Sequence, residues 1–162
     1  MMRFKMDEEM AEKIKRIKLL VSDVDGVLTD GRIIYDSEGG ESRFFDAQDG
    51  LGIRLLKAAG IKTIFVTAKP SKAVERRATD LLVEKVYQGI KPKTKVLEKI
   101  LSNVDISKEE ICYVGDDLVD LSVMKAVGFP VAVANASWEI KESANYITRK
   151  SGGRGAVREV VE

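Results

Sequence analysis

The sequence predicts an α/β fold: a single Rossmann-like, three-layer domain with a mainly parallel sheet, a short β-hairpin flap and no cap domain. Three observations carry that prediction. Short apolar-rich segments recur at 19–21, 61–66 and 111–114, the first of them unbroken, and such segments suit strands buried on both faces of a sheet. Stretches of helical length separate them, and strand–helix alternation builds βαβ units with parallel strands. A chain of 162 residues, 44% of them hydrophobic, fits one domain on a single core.

Taken in order, residues 7–17 read as a polar amphipathic helix leading into a first strand at 18–22. A helix follows over about 49–59, closed by Gly60 as a C-cap. Residues 61–66 form the next buried strand and 71–82 the next helix. A short strand fits 85–87, and Pro92 stands where a helix running to about 101 would start. Strand 111–114, helix 118–126 and strand 130–133 complete the alternation. One insertion interrupts it. Residues 32–35 and 42–45 are β-prone and joined by Ser37-Glu38-Gly39-Gly40, a plausible hairpin turn. It follows the first strand and is too small for a cap domain, hence a flap. The glycine-rich stretch 151–158 reads as a frayed terminus.

Composition narrows the chemistry. Lys and Arg number 27 against 26 Asp and Glu, so no global field draws the chain to nucleic acid or membrane. There is no histidine, and the single cysteine, Cys112, sits in an apolar run where a packed hydrophobe is expected. Internal disulfides and His/Cys zinc sites are thereby excluded. Residues 1–18 are charged without a long apolar core, and no apolar run approaches the ~20 residues of a membrane span, so a cytoplasmic protein is expected. Catalysis must rest on carboxylates, hydroxyls, lysines, arginines or a hard metal ion.

In open α/β sheets the working residues gather at the carboxyl ends of the strands. The first strand ends in DVDGVLTDG (23–31), with Asp23 and Asp25 two residues apart. Such a pair is costly unless a cation balances it, and magnesium suits oxygen ligands. The bland alternative is turn chemistry, which also favours Asp and Gly. A second acidic group, GDDLVD (115–120), follows strand 111–114. Asp116 is its better ligand candidate, while Asp117 could cap the next helix. Two acidic clusters at equivalent strand ends point to one shared metal. Thr67 closes strand 61–66 and could donate to a phosphoryl oxygen, or else cap a helix. Lys93 could bring positive charge, with Lys91 and Lys95 as rivals and a solvated basic stretch as the alternative.

DVDGVLTDG, then Thr67, Lys93 and GDDLVD, resembles the capless subclass of the haloacid dehalogenase-like phosphatase superfamily. With the flap and the late SGGRGAVREV (151–160), the pattern is similar to its 3-deoxy-D-manno-octulosonate 8-phosphate phosphatase family, from Leu19 to Val161. The resemblance implies Asp23 as nucleophile and Asp25 as general acid/base. It implies Mg2+ held by Asp23, the Asp25 carbonyl and Asp116, with Asp120 and Asp117 in support. Thr67 and Lys93 would orient and neutralise the phosphoryl group. It further implies a sugar acid phosphate as substrate, a place in lipopolysaccharide precursor synthesis and a homotetramer whose tails can cover a neighbour's site.

The family's Thr-Gly-Arg is here Thr67-Ala68-Lys69, so Lys69 keeps the charge but loses the two-pronged grip of arginine on a carboxylate. Lys69, Arg77 and Arg154 are the expected substrate-binding residues, with Arg77 alternatively a solvent-facing helical residue beside its rival Arg76. Other readings are a phosphatase for a nine-carbon sugar acid phosphate or for sugar phosphates broadly, a receiver-like phospho-aspartate module, and a non-catalytic relative. A receiver carries its acceptor Asp on a later strand and has no place for GDDxxD, whereas here the DxD opens the core; the retention of Asp23, Asp25 and Asp116 argues against loss of catalysis.

Overall fold

In the computed structural model, which describes residues 8–162, the chain opens with helix α1 (Glu8–Lys15) and strand β1 (Leu19–Asp23). A hairpin of β2 (Ile34–Tyr35) and β3 (Glu41–Ser42) follows, then α2 (Ala47–Ala58), β4 (Lys62–Thr67), α3 (Lys72–Asp80), β5 (Lys85–Gln88) and α4 (Thr94–Asn103). The remainder runs through β6 (Ile111–Gly115), α5 (Leu121–Met124), β7 (Phe129–Ala132), α6 (Trp138–Glu142), β8 (Tyr146–Ile147) and α7 (Ala156–Val161). Asp7, expected at the start of the first helix, lies outside the described residues.

Six strands form one parallel sheet in the order β5-β4-β1-β6-β7-β8, and β2 pairs with β3 antiparallel apart from it. Every residue of β1 and β6 is buried, which explains why their sequences do not alternate. From β1 the chain moves outward through β4 to β5, then returns across β1 to β6. Right-handed crossovers therefore set α2 and α3 on one face and α4 and α5 on the other, giving three layers. The strand order reverses at β1, so the crevice of the fold opens at its carboxyl end. Asp23 is the residue there.

Several elements differ from expectation. The flap strands are only two residues each, because Asp36 turns its carboxylate back onto Glu38 N (2.9 Å) and Gly40 N (2.7 Å) and closes the turn early. The expected helix 118–126 splits into a 3-10 turn (Leu118–Asp120) and the short α5. Its inward carboxylate, Asp120, accepts from the backbone of Asp116 and tightens the first turn. The segment 151–158 is not a frayed end of its own domain. Gly153 N donates to Val27 O at 3.0 Å, and α7 packs on α2 with Ala156 and Val157 fully buried. Asp49 of α2 accepts from Arg158 N (2.8 Å), while Glu159 accepts from Tyr146 Oη (2.7 Å) and Arg149 N (2.9 Å).

Cys112 is buried in β6, and burial pushes its thiol up to about 12, in keeping with a packing role. Among the described residues no helix is long and apolar enough to cross a membrane.

Candidate active site

Parallel register builds the site. Asp23 pairs with Val66 of β4, so Thr67 ends one residue further on at its side, while Ser22 pairs with Val114 of β6 and brings Gly115 and Asp116 to the other. Asp23, Asp116 and Asp120 each present a carboxylate oxygen within 4.8 Å of the others. Side chains 23 and 116 are thus close enough to share an ion. Lys93, only 3% exposed, places Nζ 2.8 Å from Asp23 Oδ1 and 2.6 Å from Asp120 Oδ1. It stands just before α4, where Lys95 N bonds back to Pro92 O and winds the first turn tightly.

The two outer acids are not equivalent. Asp120 is fully buried and saturated: Oδ1 accepts from Lys93 and from Tyr113 Oη (2.6 Å), and Oδ2 from the backbone N–H of Asp116 (3.1 Å) and Asp117 (3.4 Å). Little lone-pair capacity is left for a cation. Asp23, held through Oδ1 by Lys93, and the half-buried Asp116 are better placed as direct ligands. Asp117 is exposed and caps the 3-10 turn through Leu118 N at 2.8 Å.

Electrostatics reveal the imbalance. Burial, then the charge of Asp120, raises Asp23 well above the ordinary carboxylate range despite Lys93. Burial and Asp120 likewise push Asp116 up to about 6. Burial alone would lower Lys93, but Asp23 and Asp120 together hold it above its usual value. Burial followed by the charges of Asp120 and Asp23 keeps the Tyr113 phenol protonated as a donor. Three carboxylates around one ammonium leave negative charge that a divalent cation relieves. The all-oxygen donor set fits magnesium.

Asp25 lies at the mouth. Arg43 Nε donates to its Oδ1 (2.6 Å) and Nη2 to Oδ2 (3.4 Å), while Thr67 Oγ1 approaches Oδ2 at 3.4 Å. Gly26 follows, and Asn135 Nδ2 binds its carbonyl at 3.1 Å. Asn135 Oδ1 accepts from Gly152 N (2.6 Å), so the late glycine turn buttresses the loop after β1 of its own chain.

The three expected substrate-binding residues make contacts within the chain or line its surface. Lys69 Nζ pairs with Glu41 Oε2 at 2.5 Å and lies 4.5 Å over the Tyr35 ring, tying the flap to the loop after β4. Arg77 donates to Asp46 O (2.9 Å) and stacks on Phe45, which anchors α3 to the start of α2. Arg154 is exposed on a pocket of about 410 Å³ that it lines with Arg32, Phe44 and Asp46. Sequence reasoning missed Arg43, Glu41, Ser71, Tyr113 and Asn135. Tyr113 was hidden in an apolar run, and the flap arginine carried no local signal.

An acidic centre suited to a hard cation at the switch point of a parallel sheet, with a second carboxylate beside it, defines a class: a metal-assisted hydrolase built on a Rossmann-like sheet. A family model described as haloacid dehalogenase-like hydrolase matches residues 85–160. The 3-deoxy-D-manno-octulosonate 8-phosphate phosphatase KdsC of Yersinia pestis is 39% identical over 155 residues, 96% of this chain and 83% of that one. The Escherichia coli K12 protein of the same name is 42% identical, covering 95% and 82%. The Moraxella catarrhalis phosphatase of that name, solved with a magnesium ion, a phosphate ion and a KDO molecule, superposes with a TM-score of 0.93 at 42% identity, covering 96% and 90%. The chain belongs to the haloacid dehalogenase-like hydrolase family, on the branch that holds these phosphatases.

Proposed function

We propose that this protein is a magnesium-dependent phosphomonoester hydrolase that converts 3-deoxy-D-manno-octulosonate 8-phosphate to the free sugar acid and phosphate, a step in making lipopolysaccharide precursors. One observation carries the reading: Asp23 sits at the switch point, bound to Lys93 and beside Asp116, with Asp25 held two residues away. Its relatives' activity and near full-length similarity supply the substrate.

Asp23, Asp116 and the Asp25 carbonyl would hold magnesium, which supplies charge neutralisation and polarisation of the phosphoryl group. Asp23 attacks phosphorus in line, and the ester bond to the sugar oxygen breaks as the aspartyl phosphate forms. Asp25 gives its proton to the departing alkoxide. It then takes a proton from water, whose oxygen attacks the same phosphorus and returns Asp23 with release of phosphate. Lys93 offsets the charge that gathers on Asp23 and the transferring oxygens, the contribution expected to matter most in phosphoryl transfer. Thr67, beside Asp25, would orient the phosphoryl group.

Phosphate release from this substrate, set against a nine-carbon sugar acid phosphate and common sugar phosphates, tests the reading. Release is expected with magnesium and not with a chelator, and Asp23→Asn is expected to abolish it. Turnover by that variant within about tenfold of wild type, about 1.4 kcal/mol of barrier, would exclude Asp23 as nucleophile. We further propose a cytoplasmic homotetramer assembled through the flap, where Ile34, Tyr35 and Phe44 are exposed. Light scattering at micromolar concentration should give four chains; a monomer would remove this part of the proposal.

A further inference from the structure

Arg43 leaves the flap just after β3 and turns inward until its side chain has no accessible surface. Burying a guanidinium is costly unless its donors are satisfied. Here each edge is engaged: Nε and Nη2 with the two oxygens of Asp25, and Nη1 with Ser71 Oγ (2.7 Å) and Glu41 Oε1. Ser71 is itself fixed, its N–H on Gln88 Oε1 at 2.8 Å. Glu41 is shared with Lys69, so Asp25, Arg43, Glu41 and Lys69 form a chain of alternating charges from the site to the flap.

The backbone of Asp25 needs no such support. Leu28 N and Thr29 N both bond to Val24 O, and Gly26 N bonds to Thr29 Oγ1, which closes the loop locally. What Arg43 fixes is the carboxylate. A planar two-pronged grip sets both the position and the plane of its partner, which a point charge cannot do. Without that grip the half-buried Asp25 side chain can rotate about χ1 and χ2, away from an ester oxygen held on Asp23. We propose that Arg43 is the positioning residue for Asp25, holding its carboxylate in the orientation that delivers a proton to the leaving oxygen.

The inference rests on the phosphatase reading above, and leaving-group chemistry separates the two. A sugar alkoxide needs a proton to depart; p-nitrophenolate does not. Phosphoenzyme formation would be timed in single turnovers with the sugar acid phosphate and with p-nitrophenyl phosphate. A positioned general acid contributes ~10²–10⁴-fold, so Arg43→Met is expected to slow the sugar ester at least about 30-fold and the aryl ester less than about 3-fold. Arg43→Lys should recover part of the loss, and Asp25→Asn should hide any further effect of Arg43→Met, since one residue acts through the other. If Arg43→Met does not fold, Arg43→Lys and Ser71→Ala carry the same comparison of the two esters. An equal fall on both esters, or a double variant slowed by the product of the single effects, would overturn the inference alone. A wild-type protein inert to both esters would overturn the phosphatase reading and the inference with it.

Discussion

At Gly26 the backbone takes φ +91°, and a Cβ built there would fall 1.9 Å from Asp116 Oδ2. Two constraints meet in one missing side chain: the left-handed conformation, which costs an L-residue ~1–2 kcal/mol, and the space that Asp116 occupies. Gly26→Ala must therefore move Asp116, the acid best placed to share a cation with Asp23. Its kcat/KM is expected to fall at least about a hundredfold, roughly 2.7 kcal/mol, with a matching loss in magnesium titrations. Magnesium affinity equal to wild type would show that Asp116 does not bind the ion. The meeting of Asp23 and Asp116 was legible because DVDG and GDD are local patterns at neighbouring strand ends. Asp120 was expected as support only through the resemblance, and its partner Tyr113 not at all: the phenol reaches seven positions ahead from a strand whose composition says only that it is buried. Arg43 was the least legible, since its target lies 18 residues earlier and across a loop.

Among elements, β1, β4 and β6 were readable to within a residue because a strand buried on both faces centres on consecutive apolar residues. Helix α2 was similarly plain, its C-cap at Ala59 followed by Gly60 at φ +81°. The missed elements are α6, β8 and α7, none longer than six residues. Pieces so short carry too little periodicity to register, and a helix of that length is unstable alone. What holds α7 is tertiary: Asp49 at its first N–H groups, Glu159 clasping Tyr146, and two buried side chains. The same packing explains the close fit of Gly152, where a Cβ would lie 1.8 Å from Gly26 O. The late glycines thus wall the loop after β1 of their own chain.

For the whole molecule, the sheet sets a cost that the cation offsets. The reversal of strand order at β1 drives Asp23, Asp116 and Asp120 together at one point, and Lys93 opposes them from within. Asp116 titrates at about 6 in the fold against 3.8 as the reference, a shift upward. A carboxyl raised in the folded state binds more protons there than in the unfolded chain, so its contribution to stability is present below pH 3.8 and is lost as pH rises through about 6. Asp23 shifts in the same direction. Two pKa units at Asp116 correspond to at most ~3 kcal/mol, and each kcal/mol moves Tm by ~2–4 °C in a chain of this size. In chelator, then, Asp116→Asn should melt several degrees above wild type at pH 7 and close to it at pH 4. Magnesium requires the ionised carboxylates, so it should raise the Tm of wild type strongly at pH 7 and little at pH 4.5. Other carboxyls, such as Glu41 and Glu110, shift downward and lose stability as the pH falls, which is why the comparison is made between variants and between metal states at one pH. A magnesium-induced rise in Tm of the same size at pH 4.5 and pH 7 would mean that the ion binds somewhere other than among these acids.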